Sequence, residues 1–245
     1  MIDGPPHIPV VPIDRCDLCD NTRGEIVSER DRYGYPVRFL RCRCGLYRNS
    51  HRPADLGDFY NQHYRDLVSS YHGREINAKT IQAEQMNYAE EVAAFLHPRR
   101  YGELLDVGGS TGVVGQYLAN EWGGVATVLE PCREELAEAH CCERICEVAE
   151  EFDPAGRRWD IALLCQTIDH LLSPLSVLHM LNACCDSLYV DAVDVELFDD
   201  KQEAAKIDHI WGFTDKTCRQ MLLATGWKVM SNLTRNKHRV YLCVR

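Results

Sequence analysis

Residues 103–131 constrain this chain more than any other stretch. Leu104-Leu105-Asp106-Val107 is a short apolar run suited to a buried strand, and Gly108-Gly109-Ser110-Thr111-Gly112 follows it as a turn of small residues. Val114, Tyr117, Leu118 and Trp122 then fall on one face of a helix. A second apolar run, Val125 to Leu129, ends at Glu130, and Pro131 opens the next helix. Small residues let a ligand approach the backbone closely, and a carboxylate at the end of the second strand can accept hydrogen bonds from a ribose diol. The segment has the geometry of a nucleoside site.

The same alternation continues. Ile161 to Cys165 and Ser187 to Val195 read as further strands separated by helical patterns, which implies βαβ units and a parallel sheet. Trp227 to Met230 and Arg239 to Val244 are joined by too few polar residues for a crossover helix, so the last strand is expected to be antiparallel. Upstream, Tyr88, Val92, Phe95 and Leu96 mark one helical face that Pro98 ends. At 245 residues and 45% hydrophobic content, the chain has room for one α/β domain and a small extra module. The expected divisions are a module at 1–52, a helical linker or lid at 53–100, and an α/β domain at 101–245.

The module is defined by cysteines. Thirteen occur in all, an odd number that points to reduced thiols rather than a disulfide framework. Cys16-x-x-Cys19 and Cys42-x-Cys44-Gly45 place two pairs at either end of a loop, and four thiolates satisfy tetrahedral zinc. Such an ion would be structural, because a closed site has no open position. His51 is an alternative fourth ligand, and four unligated thiols is the competing reading. His140, Cys141, Cys142 and Cys146 admit a second metal if one helix carries Cys142 and Cys146, although small buried residues explain them better. Pro5, Pro6, Pro9 and Pro12 make the first 14 residues an extended lead-in.

Charge narrows the partners. Lys and Arg number 27 against 37 Asp and Glu, and a net charge of −10 disfavours nucleic acid. The basic stretch Arg38 to Arg48 reads as a solvated edge. With no apolar run of about 18 residues and no charged-then-apolar leader, the expectation is a cytoplasmic protein with no membrane partner.

The turn and its distal acid resemble the first two motifs of class I S-adenosylmethionine (SAM)-dependent methyltransferases, over roughly residues 100–245. The resemblance implies a Rossmann-like sheet with SAM as cofactor. Asp106 would organise the turn, Gly108, Gly109, Ser110 and Gly112 would lie against the methionine moiety, and Glu130 would hold the ribose hydroxyls. Ser110 stands where the family's middle glycine is usual, and this opens a rival. Gly108 to Gly112 also fits G-x-S-x-G, the nucleophile elbow of α/β-hydrolases, with Asp191 or Asp194 and His209 or His238 completing a triad. That reading ranks second, since no oxyanion loop precedes Ser110 and a hydrolase leaves Glu130 unexplained. A SAM-binding protein without catalysis is a third.

Two later stretches extend the resemblance. Trp159 to Pro174 resembles the family's fourth-strand motif, implying Gln166 near the cofactor and Asp169 and His170 toward the methyl acceptor. A histidine side chain ordinarily titrates near neutral pH, so His170 can act as a base, or else it caps or packs the following helix. Asp208-His209-Ile210-Trp211-Gly212-Phe213-Thr214 resembles the segment before the last helix in zinc-module methyltransferases. His209 and Trp211 are candidates to contact the acceptor, with core packing favoured for Trp211 and a second base role open to His209, and Thr214 is an N-cap for a helix that Gly226 ends. Tyr60, Tyr64 and Tyr71 resemble a lid, with surface packing as the alternative, and Glu150 is the candidate for adenine. The implied acceptor is a small molecule, a sugar or nucleotide sugar, and a homodimer is left open.

Overall fold

The computed structural model describes residues 8–140 and 143–245. Five short strands come first: β1 (Val10–Pro12), β2 (Glu25–Ser28), β3 (Phe39–Arg41), β4 (Tyr47–Asn49) and β5 (His51–Pro53). A helical run from Leu56, through a π turn at Phe59–His63, leads into α1 (Tyr64–His72) and then α2 (Ala78–Leu96). Beyond residue 100 come β6 (Glu103–Val107), α3 (Val113–Trp122), β7 (Val125–Leu129), α4 (Arg133–Ala137), β8 (Glu143–Ile145), β9 (Trp159–Cys165), α5 (Pro174–Cys184) and β10 (Cys185–Val193). The chain ends with β11 (Trp211–Gly212), α6 (Asp215–Ala224), β12 (Lys228–Arg235) and β13 (His238–Val244).

Seven strands form the main sheet in the order β12-β13-β10-β9-β6-β7-β8. β8, β7, β6, β9 and β10 are parallel, and β13 runs antiparallel to both of its neighbours, as its short connection requires. Side-chain alternation explains why both faces are covered. Leu104, Ile161 and Leu163 pack with Val92 and Leu96 of α2 and Leu118 of α3. Leu105, Ala162 and Leu164 point the other way, to Leu178 and Leu181 of α5 and Met221 and Leu222 of α6. This is the Rossmann-like class I fold. Strand order reverses between β6 and β9, which opens a crevice beyond their C-terminal ends.

Two expectations change. Residues 143–145, expected to continue a helix in the second-metal reading, form the strand β8, and Cys141 and Cys142 of that reading lie outside the described residues. The basic stretch is not wholly solvated either. Arg48 is 2% exposed and donates to the carbonyls of Ile13 and Thr22 at 2.7 and 2.9 Å, which pins the cysteine loop.

Of the N-terminal strands, β1 and β5 pair with each other, while β2, β3 and β4 join β11 in a second sheet, β11-β4-β3-β2, with Trp211 opposite Arg48 and Gly212 opposite Tyr47. Asn49 reinforces the junction, since its Nδ2 donates to the carbonyls of Lys206 and His209 at 2.6 and 3.0 Å. Among the described residues no helix is long and apolar enough to cross a membrane.

Candidate active site

A cavity of about 540 Å³ lies over the β6–β9 switch point, closed on one side by residues 56–88. Gly108 forms its floor at φ 67°, and a Cβ there would sit 2.6 Å from Cγ2 of Thr167. Thr167 cannot yield freely, because its Oγ1 donates to the Val107 carbonyl at 2.9 Å. Glycine at 108 is therefore a steric necessity of this turn. Asp106, wholly buried, accepts the Gly115 N–H at 3.0 Å and so ties the turn to the first residues of α3. Burial pushes its carboxyl up to about 6.

Ser110 has a positive φ of 53°, an uncommon conformation for a residue with a side chain, and Gln166 has another at 59°. Both line the cavity. The Ser110 hydroxyl donates to the carboxylate of Glu135 and not to an imidazole. Of the proposed triad partners, Asp191 contacts His238 at 2.8 Å, but neither lines this cavity. Among the described residues, the elbow geometry thus lacks the imidazole base that a hydrolase needs.

Glu130 ends β7 as expected and is 6% exposed. Its two oxygens accept the N–H groups of Ser110 at 3.0 Å and Cys132 at 2.8 Å. Burial, and then the nearby Glu135, raise its carboxyl to about 7. Glu135 is paired with Arg65 of α1, and Asn61 reaches the Pro131 carbonyl at 3.2 Å and the Arg133 N–H at 3.0 Å. These lid-to-site contacts are not visible in sequence, where Arg65 and Asn61 lie 70 and 72 residues from their partners. Glu150 also lines the cavity, but its Oε1 accepts the N–H groups of Leu172 and Ser173 at 2.6 and 3.2 Å. That oxygen caps the loop.

At the other end, Asp169, His170 and His209 come together. His170 and His209 have ring centroids 4.5 Å apart, and Asp169 Oδ2 lies 2.7 Å from His209 Nδ1. Tyr60 places its hydroxyl 2.9 Å from His170 Nδ1, with Tyr64 edge-on to the same ring. Tyr71 instead turns to Arg32 and Tyr33. His170 faces the cavity, whereas Asp169 and His209 stand behind it. Burial and the neighbouring His209 lower His170 to about 4, and burial and Lys206 lower His209 to about 3, so both rings are uncharged at neutral pH. Lys206, which sequence reading missed, and Asp208, which it quoted without a role, line this end; Lys206 Nζ is 2.9 Å from His209 Nε2. Trp211 is buried, as expected, and donates to the Leu171 carbonyl at 2.9 Å.

The cysteine cluster lies apart from this cavity. Sγ atoms of Cys16, Cys19 and Cys44 all fall within 4.8 Å of one another, with Cys16 and Cys44 3.7 Å apart. Cys42 contacts Cys16 but stands outside the trio. His51 is not part of the group; its Nδ1 meets Ser50 Oγ at 3.0 Å.

A sheet with this strand order and a glycine-floored crevice at the switch point defines the class of nucleoside-binding α/β enzymes. The methyltransferase domain family matches residues 80–232, and the chain belongs to that family, whose members are SAM-dependent methyltransferases. No curated protein matches the chain. Among solved structures, magnesium protoporphyrin IX methyltransferase from Synechocystis PCC 6803 with bound SAM is 15% identical with a TM-score of 0.56, over 78% of this chain and 95% of that one. Mitomycin 7-O-methyltransferase is 18% identical with a TM-score of 0.56, over 74% and 57%. The plantazolicin methyltransferase is 16% identical with a TM-score of 0.51, over 70% and 71%. Identities this low establish a common fold.

Proposed function

We propose that the protein transfers a methyl group from SAM to a hydroxylated small molecule of the sugar or nucleotide-sugar class. The observation that carries this reading is the shared cavity, which has Gly108, Ser110 and Glu130 at one end and His170, Lys206 and Asp208 at the other. When bound, SAM supplies a methyl group already activated by its sulfonium.

Asp106 holds the turn, Gly108, Gly109, Ser110 and Gly112 allow the methionine moiety close to the backbone, and Gln166 closes that side. Glu130 accepts the ribose hydroxyls. Alternating donors and acceptors at the far end, flanked by Tyr60 and Tyr64, suit a polyhydroxylated acceptor. His170, uncharged and facing the cavity, accepts the acceptor's proton, while Asp169 and His209 position it. Most of the rate enhancement then comes from alignment, because the leaving group needs no further activation.

We also assign a structural zinc to Cys16, Cys19, Cys42 and Cys44. The 3.7 Å between two of the sulfurs is near the edge of a tetrahedron with bonds of about 2.3 Å, roughly 3.8 Å. Cys42, in contact with Cys16, is the fourth ligand.

Calorimetric titration with SAM and S-adenosylhomocysteine (SAH) tests the cofactor assignment. SAH release in the presence of a panel of sugars and nucleotide sugars tests the acceptor. A folded protein that binds neither ligand at millimolar concentration would refute the first, and SAH release only with non-hydroxylated acceptors the second.

A further inference from the structure

The acceptor end holds more ligating capacity than a single base requires. One donor atom each from Asp169, His170 and His209 lies within 4.8 Å of the other two. Three atoms so spaced share a point no more than about 2.8 Å from each, and bonds of about 2.0–2.2 Å then need shifts of under about 1 Å. Asp169 supplies an independent observation. It is 1% exposed, yet neither of its oxygens has an aligned hydrogen-bond donor among the described residues, even with His209 Nδ1 only 2.7 Å from Oδ2. A buried carboxylate left this way is costly unless something else takes its lone pairs.

The imidazoles are held from behind as metal-bound histidines are. His170 Nδ1 is 2.9 Å from the Tyr60 hydroxyl, and His209 Nε2 is 2.9 Å from Lys206 Nζ and 3.7 Å from Asp208 Oδ2. Each ring therefore keeps one nitrogen for a ligand. Lys206 is the group that opposes a cation here. Burial lowers its proton affinity.

We propose that Asp169, His170 and His209 bind a divalent transition-metal ion in the wall of the cavity at its acceptor end, its open positions on the side that His170 lines, where two adjacent oxygens of the acceptor fill them. Two imidazoles and one carboxylate favour manganese, iron, cobalt, nickel or zinc over magnesium or calcium. What the ion does rests on the methyl-transfer reading; whether it binds does not. It lowers the pKa of the hydroxyl it holds, whose proton leaves to solvent. The oxygen then takes the methyl group as the methyl–sulfur bond breaks, and the sulfonium becomes a neutral thioether. His170 acts in this state as a ligand instead of a free base.

Cobalt(II) titration of the purified full-length protein separates the two metal sites. Thiolate-bound cobalt gives a sulfur-to-metal charge-transfer band, and the Asp169–His170–His209 site gives ligand-field bands without it. The expected result is two equivalents per chain. Asp169→Asn and His209→Gln should each remove the second equivalent and leave the charge-transfer band, while Cys16→Ser does the reverse. Non-thiolate cobalt that persists in both Asp169→Asn and His209→Gln, or that is absent from the wild-type protein, would overturn the proposal. SAH binding by the wild-type protein, measured with and without cobalt, reports separately on the cofactor reading.

Discussion

Replacing Glu130 with Gln tests the cofactor site through its pH dependence. In the empty protein burial raises this carboxyl to about 7, well above the ordinary glutamate value of 4.5. A ribose diol donates hydrogen bonds and so favours the ionised form, which ties cofactor binding to loss of a proton. At pH 6 only about one molecule in eleven has Glu130 ionised before binding, so SAH affinity should be roughly tenfold weaker than at pH 8. Calorimetry near pH 6.5, in buffers of different ionisation enthalpy, should detect the released proton.

Stability should move in the opposite direction. Between about pH 4.5 and about 7 the unfolded chain has lost this proton and the folded one has kept it, so stability falls as pH rises, by about 3 kcal/mol in total. Glu130→Gln should remove that slope and the pH dependence of SAH binding together. Because Gln leaves one of the two backbone N–H groups, of Ser110 or Cys132, without its acceptor, about 1–3 kcal/mol is lost. The discriminating quantity is therefore the slope, not the midpoint at one pH. Wild-type SAH affinity that is flat between pH 6 and pH 8, or a Gln variant with the wild-type slope, would refute the reasoning.

Other substitutions probe other parts of the site. Gly108→Ala should destabilise by about 2–5 kcal/mol in urea denaturation, from about 1–2 for the positive φ and about 1–3 for overlap with Thr167, and Thr167→Ser should restore part of it. Ser110→Ala should keep methyl transfer within a few-fold while removing the contact to Glu135; a loss of about a thousandfold with SAH affinity retained would revive the nucleophile elbow. Chelation of the purified protein, or Cys44→Ser, should lower the melting temperature by about 6–12 °C, corresponding to roughly 3 kcal/mol, as read by calorimetric scanning.

Local pattern carried the reading as far as local forces decide the structure. The β6–α3–β7 unit lies within a residue of expectation, because its apolar runs are long enough to be buried on both faces and its turn admits only small residues. Thr214 caps α6 through a reciprocal bond with Thr217, again a local matter. β8 was missed because its Glu-Arg-Ile has no apolar alternation, and only pairing with β7 makes it a strand. The acceptor end was half legible. Asp169, His170 and His209 stood out by position in a motif, Asp208 was part of that motif without a role, and no motif marked Lys206 or Arg65. Tyr60 meets His170 across 110 residues of chain, and no periodicity reports a contact of that kind.

The pairing of β11 with β4 bears on how the chain is made. Arg48 leaves the ribosome 163 residues before its partner Trp211, an interval of roughly 8–30 s at ordinary synthesis rates. During that time β4 is an open edge, exposed to other nascent chains. A zinc clip on the first four cysteines would fix the early hairpin while it waits. Metal supply during translation, more than afterwards, would then govern the yield of folded protein.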